Sequence, residues 1–211
     1  MIELFVSAFA LGVLFNVMPG AIFAESLRRG IRGGFGPALG VQVGSLLGDF
    51  VWAVLGLAGA AALFALPCIE GPLALVGAAL LAWMGWQGVQ DAMGPMPAFD
   101  PAAGPMLDRS AVAAGAGLSL SNPMNITYWA ALGGTISALG IANPGWTSFI
   151  VFLGGFMMAS VLWCFVCAGA IAWTRRFLNP LAWRLINLGC GAGLALFAVM
   201  IVWRIISNQT A

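Results

Sequence analysis

Val13-Leu14-Phe15-Asn16-Val17-Met18-Pro19-Gly20-Ala21 and Leu118-Ser119-Leu120-Ser121-Asn122-Pro123-Met124-Asn125 are two largely apolar stretches, each carrying an amide side chain and interrupted by proline. Proline in a helix interior removes a hydrogen bond and leaves a carbonyl without its donor. Hydrocarbon tolerates that only where the opened backbone meets protein, water or a ligand. The interruptions fall in the first and fourth of six apolar segments, which are corresponding positions of two halves. Paired breaks of this kind predict a solute-binding site near the bilayer midplane of a secondary carrier.

Composition agrees. Of 211 residues, 62% are hydrophobic and only 7% charged, and the mean hydropathy is +1.00, the signature of a membrane protein. Net charge is +1 with no basic run, so nothing invites a nucleic-acid partner. Ala8-Phe9-Ala10 resembles a cleavage site, but Met1-Ile2-Glu3 lacks a positive lead and the apolar run before it is short, so the N-terminal segment reads as a span. The cysteines at 68, 164, 167 and 190 are scattered, with Cys68 alone in an expected loop. Cys164 and Cys167 form C-x-x-C within an apolar helix in a chain without histidine, which reads as two small buried residues rather than a metal or redox site. No cofactor is implied.

At roughly 17 to 25 apolar residues per span, segments near 3–27, 36–65, 72–90, 110–139, 146–173 and 181–206 give six transmembrane helices and an all-α polytopic protein. Gly- and Pro-rich punctuation separates them, including a turn at Pro67 to Pro72. The one sizeable loop, 94–109, joins two repeats, 1–93 and 110–211, within a single transmembrane domain. Arg28, Arg29, Arg32, Arg109, Arg175, Arg176 and Arg184 fall in loops on one side, with Arg204 opposite; this predicts a cytoplasmic arginine face and both termini outside. The first and fourth spans then run in opposite senses, as in inverted three-helix repeats. Gly44, Asp49 and Trp52 echo Gly155, Ser160 and Trp163 at equal spacing, and Gly77 and Met84 echo Gly193 and Met200.

The second span is the most informative. Gly36, Gly40, Gly44 and Gly48 form a stripe against which another helix, moving or belonging to a second protomer in a homodimer, can pack closely. On a rotated face lie Gln42, Ser45, Asp49 and Trp52. A carboxylate mid-span costs about 2.5 to 3.5 kcal/mol on insertion scales, so it faces a cavity or a partner. Asp49 either locks helix packing through hydrogen bonds or exchanges protons and pairs with a substrate ammonium. With no His or Lys in the chain, it is the central group suited to coupling export to proton entry. Glu25 reads as a local ion pair with Arg28 and Arg29, or as a cavity gate. Asn16 precedes the first break, while Ser119, Ser121, Asn122, Asn125, Thr127 and Tyr128 crowd the second. That is more polar groups than Pro123 needs to satisfy its carbonyls, and the excess predicts ligand contacts.

Pro19-Gly20-Ala21, the run from Ala38-Leu39-Gly40 to Gly48-Asp49, Leu80-Leu81-Ala82-Trp83-Met84-Gly85-Trp86 and Ser121-Asn122-Pro123 together resemble the lysine and homoserine exporter (LysE/RhtB) family over nearly the whole chain. The resemblance implies a six-helix exporter of amino acids or related small metabolites in the bacterial inner membrane, driven by the proton gradient. Two positions depart from the family pattern: Ala21 where Pro-Gly-Pro is usual, and Met124 where Asn-Pro-Lys is usual. The Asn16, Pro19-Gly20-Ala21 and Glu25 to Gly30 pattern is similar to a branch associated with chemosensory gene clusters, which raises a non-transporting accessory or sensor subunit as the alternative.

The expected function is therefore proton-coupled export by alternating access. Asp49 carries coupling, Asn16, Gln42, Ser45, Asn122, Asn125 and Tyr128 line the path, and Pro19, Gly20 and Pro123 open the backbone. A thiol-disulfide carrier of similar build would need cysteines beside the breaks, where this chain has Met18 and Ser121. An enzyme is not expected, since no nucleophile, base and orienting group assemble from this inventory.

Overall fold

A computed structural model describes residues 1–17, 20–57, 67–96, 108–122, 125, 129 and 145–209. Its elements are α1 (Ile2–Val17), α2 (Ala21–Gly33), α3 (Phe35–Leu57), α4 (Pro67–Met93), α5 (Arg109–Leu120), α6 (Trp146–Thr174), a 3-10 turn (Arg175–Phe177) and α7 (Pro180–Gln209), with no strand among the described residues. Among the described residues, three helices are long and apolar enough to cross a bilayer, and α1 with α2, bent by 62° at the break, gives a fourth when the pair is counted as one span. At about 1.5 Å per residue, α5 is too short to cross alone.

Local chemistry sets the boundaries. Gly34 alone separates α2 from α3, at φ +84, a left-handed value that suits glycine, and its N–H donates to the Gly30 carbonyl. Asp108 caps α5 by accepting from the Ser110 N–H at 2.9 Å. Asn179 Oδ1 accepts from the Ala182 N–H at 2.8 Å, and Pro180 fills the first helical position of α7. The turn expected at Pro67 to Pro72 is instead helix. Pro67 opens α4 where no N–H is required, and Pro72 removes a single bond in the second turn. Cys68 is accordingly helical.

Large apolar side chains cover much of the exterior, while several polar and charged ones are buried inside. Leu14, Ile150, Val166 and Trp203 are exposed, whereas Glu25 and Ser26 are fully buried and Asp49 nearly so. That inversion of soluble-protein practice is what lipid as solvent requires. The main pairings are α4 with α7, α3 with α5, α1 with α6 and α3 with α6. Leu4, Ala8, Trp52, Phe152 and Phe156 make one core cluster with Trp129. Ala38, Leu39, Cys164, Cys167, Ala168 and Ile171 make another between α3 and α6, and Ala78, Leu81, Met84, Leu118 and Leu194 join α4, α5 and α7.

The glycine stripe of α3 is filled by α5 of the same chain. A Cβ at Gly40 would meet Ala111 at 2.9 Å, one at Gly48 would meet the Ser119 hydroxyl at 2.5 Å, and one at Gly44 would overlap the Val112 carbonyl oxygen. Gly115 answers from α5, where a Cβ would overlap the Val41 carbonyl oxygen. Gly36 is buried in the same row. The stripe is thus engaged within the chain rather than open to a second protomer. Gly44→Ala should destabilise the protein by about 1–3 kcal/mol, because the three nearest blocking atoms, of Val112 and Ala116, are all backbone. Gly189→Ala, whose Cβ meets nothing within 4 Å, should be neutral or stabilising; unfolding in detergent micelles followed by tryptophan fluorescence compares the two.

Candidate functional site

Asp49 lies on the side of α3 that α5 covers, next to Gly48. Its Oδ1 accepts from the Ser119 hydroxyl at 2.7 Å and from Asn125 Nδ2 at 2.7 Å, and Asn125 Nδ2 also donates to the Ser119 hydroxyl oxygen at 3.0 Å. Asn122 Nδ2 reaches Asn125 Oδ1 at 3.4 Å. No cation pairs with Asp49 among the described residues, and its Oδ2 has no hydrogen-bond partner among them. The carboxyl group is therefore held by one oxygen on neutral donors. Its other oxygen remains for a proton or a ligand ammonium.

A second polar contact mirrors the first. On α6, Ser160 accepts from Asn16 Nδ2 of α1 at 2.9 Å; Asn16 also donates to the Gly12 carbonyl at 2.7 Å. Asp49 follows Gly44 by five residues as Ser160 follows Gly155, and each meets a residue shortly before a proline in the sequence: Ser119 before Pro123, Asn16 before Pro19. Gly44 faces α5, and Gly155 faces α1, where a Cβ would meet the Phe5 carbonyl at 2.5 Å. The other echoes diverge. Gly77 packs on Ser121 while Gly193 has open space, and Met84 is buried while Met200 is exposed.

The remaining expected site residues separate. Gln42 donates to the Ser26 hydroxyl at 2.9 Å and to Cys167 Sγ at 3.4 Å, bridging α2 and α6 apart from the Asp49 bonds. Ser45 is half-buried, its backbone against Gly115. Gly20 is extended, at φ −148 and ψ −167, and precedes α2 without a side-chain cap. Pro19, Pro123 and Tyr128 lie outside the described residues.

Glu25 is the hub of an ion network. It accepts from Arg28 Nε and Nη2, both at 2.9 Å, and from Arg29 Nε at 2.5 Å. Arg28 also donates to Asp91 Oδ2 and to Gln87 Oε1, the latter at 3.0 Å, tying α2 to α4. Arg29 reaches Ser110 at 2.8 Å, and Arg175 donates to the Arg32 carbonyl at 3.0 Å. The arginine-bearing ends of α2, α5 and α6 therefore gather at one end of the bundle. Asp91, Gln87 and Ser26 were not singled out in the sequence; the signal for Asp91 was its being one of only seven acids in the chain.

Residues 13–204 match the model of the LysE type translocator family. The chain belongs to that family. A relative in Pseudomonas aeruginosa, named chemotactic transduction protein ChpE, is 46% identical over 202 residues, covering 93% of this chain and 98% of that protein. YcgF of Bacillus subtilis, named as a candidate amino acid efflux protein, is 24% identical over 195 residues, covering 92% of this chain and 93% of its own length. No solved structure matches significantly. As a LysE-type translocator the chain is a membrane transport protein, with a lipid bilayer as its solvent and a small molecule as its cargo.

Ser119→Ala and Asn125→Ala should each destabilise this LysE-type translocator by about 1 kcal/mol. Because both donors share Asp49 Oδ1, a double-mutant cycle measured by unfolding in micelles should give a coupling of at least about 0.5 kcal/mol, whereas strict additivity would mean that the two bonds form independently.

Proposed function

We propose that this translocator exports an amino acid or related small metabolite across the bacterial inner membrane, coupled to proton entry through Asp49. The observation that carries the reading is the state of that acid: buried, facing the second half of the chain, held by two neutral donors and lacking a cation among the described residues. Such a group can alternate between a proton and a substrate ammonium without breaking an ion pair. The break before α2 adds support, since Gly20 provides no side-chain cap and the first turn presents backbone N–H groups where a substrate carboxylate could be received.

The architecture proposed is a single domain of six spans in two inverted repeats, 1–93 and 110–211, joined by the linker 94–109. The pairing pattern supports it. Exchanging the first span with the fourth, the second with the fifth and the third with the sixth turns the α3–α5 contact into α6–α1 and leaves α4–α7 and α3–α6 unchanged. Asn16, Pro19, Gly20, Gln42, Ser45, Asn122, Pro123, Asn125 and Tyr128 would line the substrate path, and Glu25, tying α2 to Arg28 and Arg29, would act at its gate. With the arginine-rich end cytoplasmic, both termini lie outside.

A second reading, a non-transporting accessory subunit of a signalling system, is favoured by the name of the 46% identical relative. Proteoliposomes separate the two. The wild type should move at least one member of a panel of labelled amino acids under an imposed pH gradient, and Asp49→Asn should lower that flux about tenfold or more. Absence of flux for every compound in the wild type would favour the accessory reading. Equal gradient-driven flux in both proteins would remove Asp49 from the coupling.

A further inference from the structure

A cavity of about 600 Å³ opens at the arginine-bearing end, between α2, α4 and the start of α5, away from Asp49; Arg29, Arg32, Trp83, Gln90, Asp91 and Asp108 are among its walls. The volume is within the range of small-molecule sites. Its charges are only partly consumed by one another. Arg28 uses four hydrogen bonds on Glu25, Asp91 and Gln87. Arg32, whose side chain is 60% exposed, donates among the described residues only to Asp91 Oδ1 at 3.1 Å, although a guanidinium has five N–H groups. Arg29 donates to Glu25 and Ser110 through Nε and Nη1, and its Nη2 has no partner among the described residues.

The acid opposite is also incompletely filled. Asp108 accepts from the Ser110 N–H and hydroxyl, with the Ala111 N–H also directed at it, and Arg29 Nη1 stands 3.6 Å away, beyond hydrogen-bond reach. Partial burial pushes this carboxyl up, but the Ser110 hydrogen bonds and the charge of Arg29 outweigh it and hold it below the usual carboxylate range. Asp108 is thus ionised at neutral pH. Open guanidinium donors and an open carboxylate therefore share one cavity, with the indole of Trp83 as a flat wall. A simple anion here would be repelled by Asp91 and Asp108, and a simple cation by Arg29 and Arg32.

We propose that this cavity binds a zwitterion, its oxyanion on the open N–H groups of Arg29 and Arg32, its ammonium on Asp108 and its apolar part against Trp83. The bearer is either a free amino acid or the headgroup of an aminophospholipid. As a loading station for export the site rests on the transport reading; as a binding site it does not.

The full chain in phosphatidylcholine nanodiscs is titrated calorimetrically with leucine, with 4-methylpentanoate, which lacks the ammonium, and with isoamylamine, which lacks the carboxylate. Native mass spectrometry of the detergent-solubilised chain compares retention of phosphatidylethanolamine and phosphatidylcholine. Arg32→Gln leaves the Arg28–Asp91 pair in place, and Asp108→Asn keeps an amide oxygen to cap α5. If the bearer is a free amino acid, leucine binds, each variant weakens it about tenfold or more, and neither truncated probe binds. If it is a headgroup, phosphatidylethanolamine is retained over phosphatidylcholine by the wild type and not by either variant. Binding of 4-methylpentanoate as tight as that of leucine, or no ligand whose retention depends on both Arg32 and Asp108, overturns the proposal. Asp49→Asn should keep this binding whatever it does to flux, so failure of the transport reading and failure of this one are read separately.

Discussion

The close approach of α3 and α5 is the constraint on which the rest of the molecule turns. Between helices in lipid there is little hydrophobic drive, so van der Waals contact and hydrogen bonds hold them together, and both require small residues at the crossing. Gly40, Gly44 and Gly48 on one side and Gly115 on the other bring the backbones into contact. Only at that separation does the short Ser119 side chain reach Asp49. The same device recurs between α1 and α6, where Gly12 and Gly155 let Asn16 reach Ser160. At both crossings, close helix packing and a polar contact are therefore made together.

Polarity is distributed for two different ends. In the middle, the acid and amides hydrogen-bond to neutral groups within the protein, because lipid offers no alternative partner. At the arginine-bearing end, buried Glu25 and Arg28 with half-buried Asp91 form a chain of charges linking α2 to α4. A buried ion pair contributes little net stability, yet removing one member leaves an uncompensated charge and is strongly destabilising. Such a network fixes where α2 docks. It also leaves the charges nearer solvent, on Arg29, Arg32 and Asp108, incompletely used at the edge of a cavity.

The break between α1 and α2 illustrates how local rules and packing divide the work. The chain leaves α1 at Val17 and resumes as α2 at Ala21, at an angle of 62°. The extended Gly20 needs no glycine-specific conformation, and a Cβ there would meet nothing. Its service is to leave the start of α2 uncapped. Gly34 is the converse case, since its positive φ makes glycine the favoured residue at the turn into α3.

Residue order and hydropathy alone determined the helical class, the bent first span, the long final two helices, the gathering of arginines toward one end and the burial of Asp49, because lipid enforces apolar length and punishes isolated charge. The equal spacing of Gly44 to Asp49 and Gly155 to Ser160 was also legible. Sequence could not decide whether the glycine stripe would meet another helix of the chain or a second protomer; α5 of the same chain fills it. Nor could it separate Gln42 from Asp49, which share a helix face seven residues apart but bond to different helices. The long-range partners Asp91 and Ser26 became visible only in three dimensions. A side chain's periodicity fixes its direction on its own helix, whereas its partner is fixed by which helices can approach, and that is a property of the whole packed bundle.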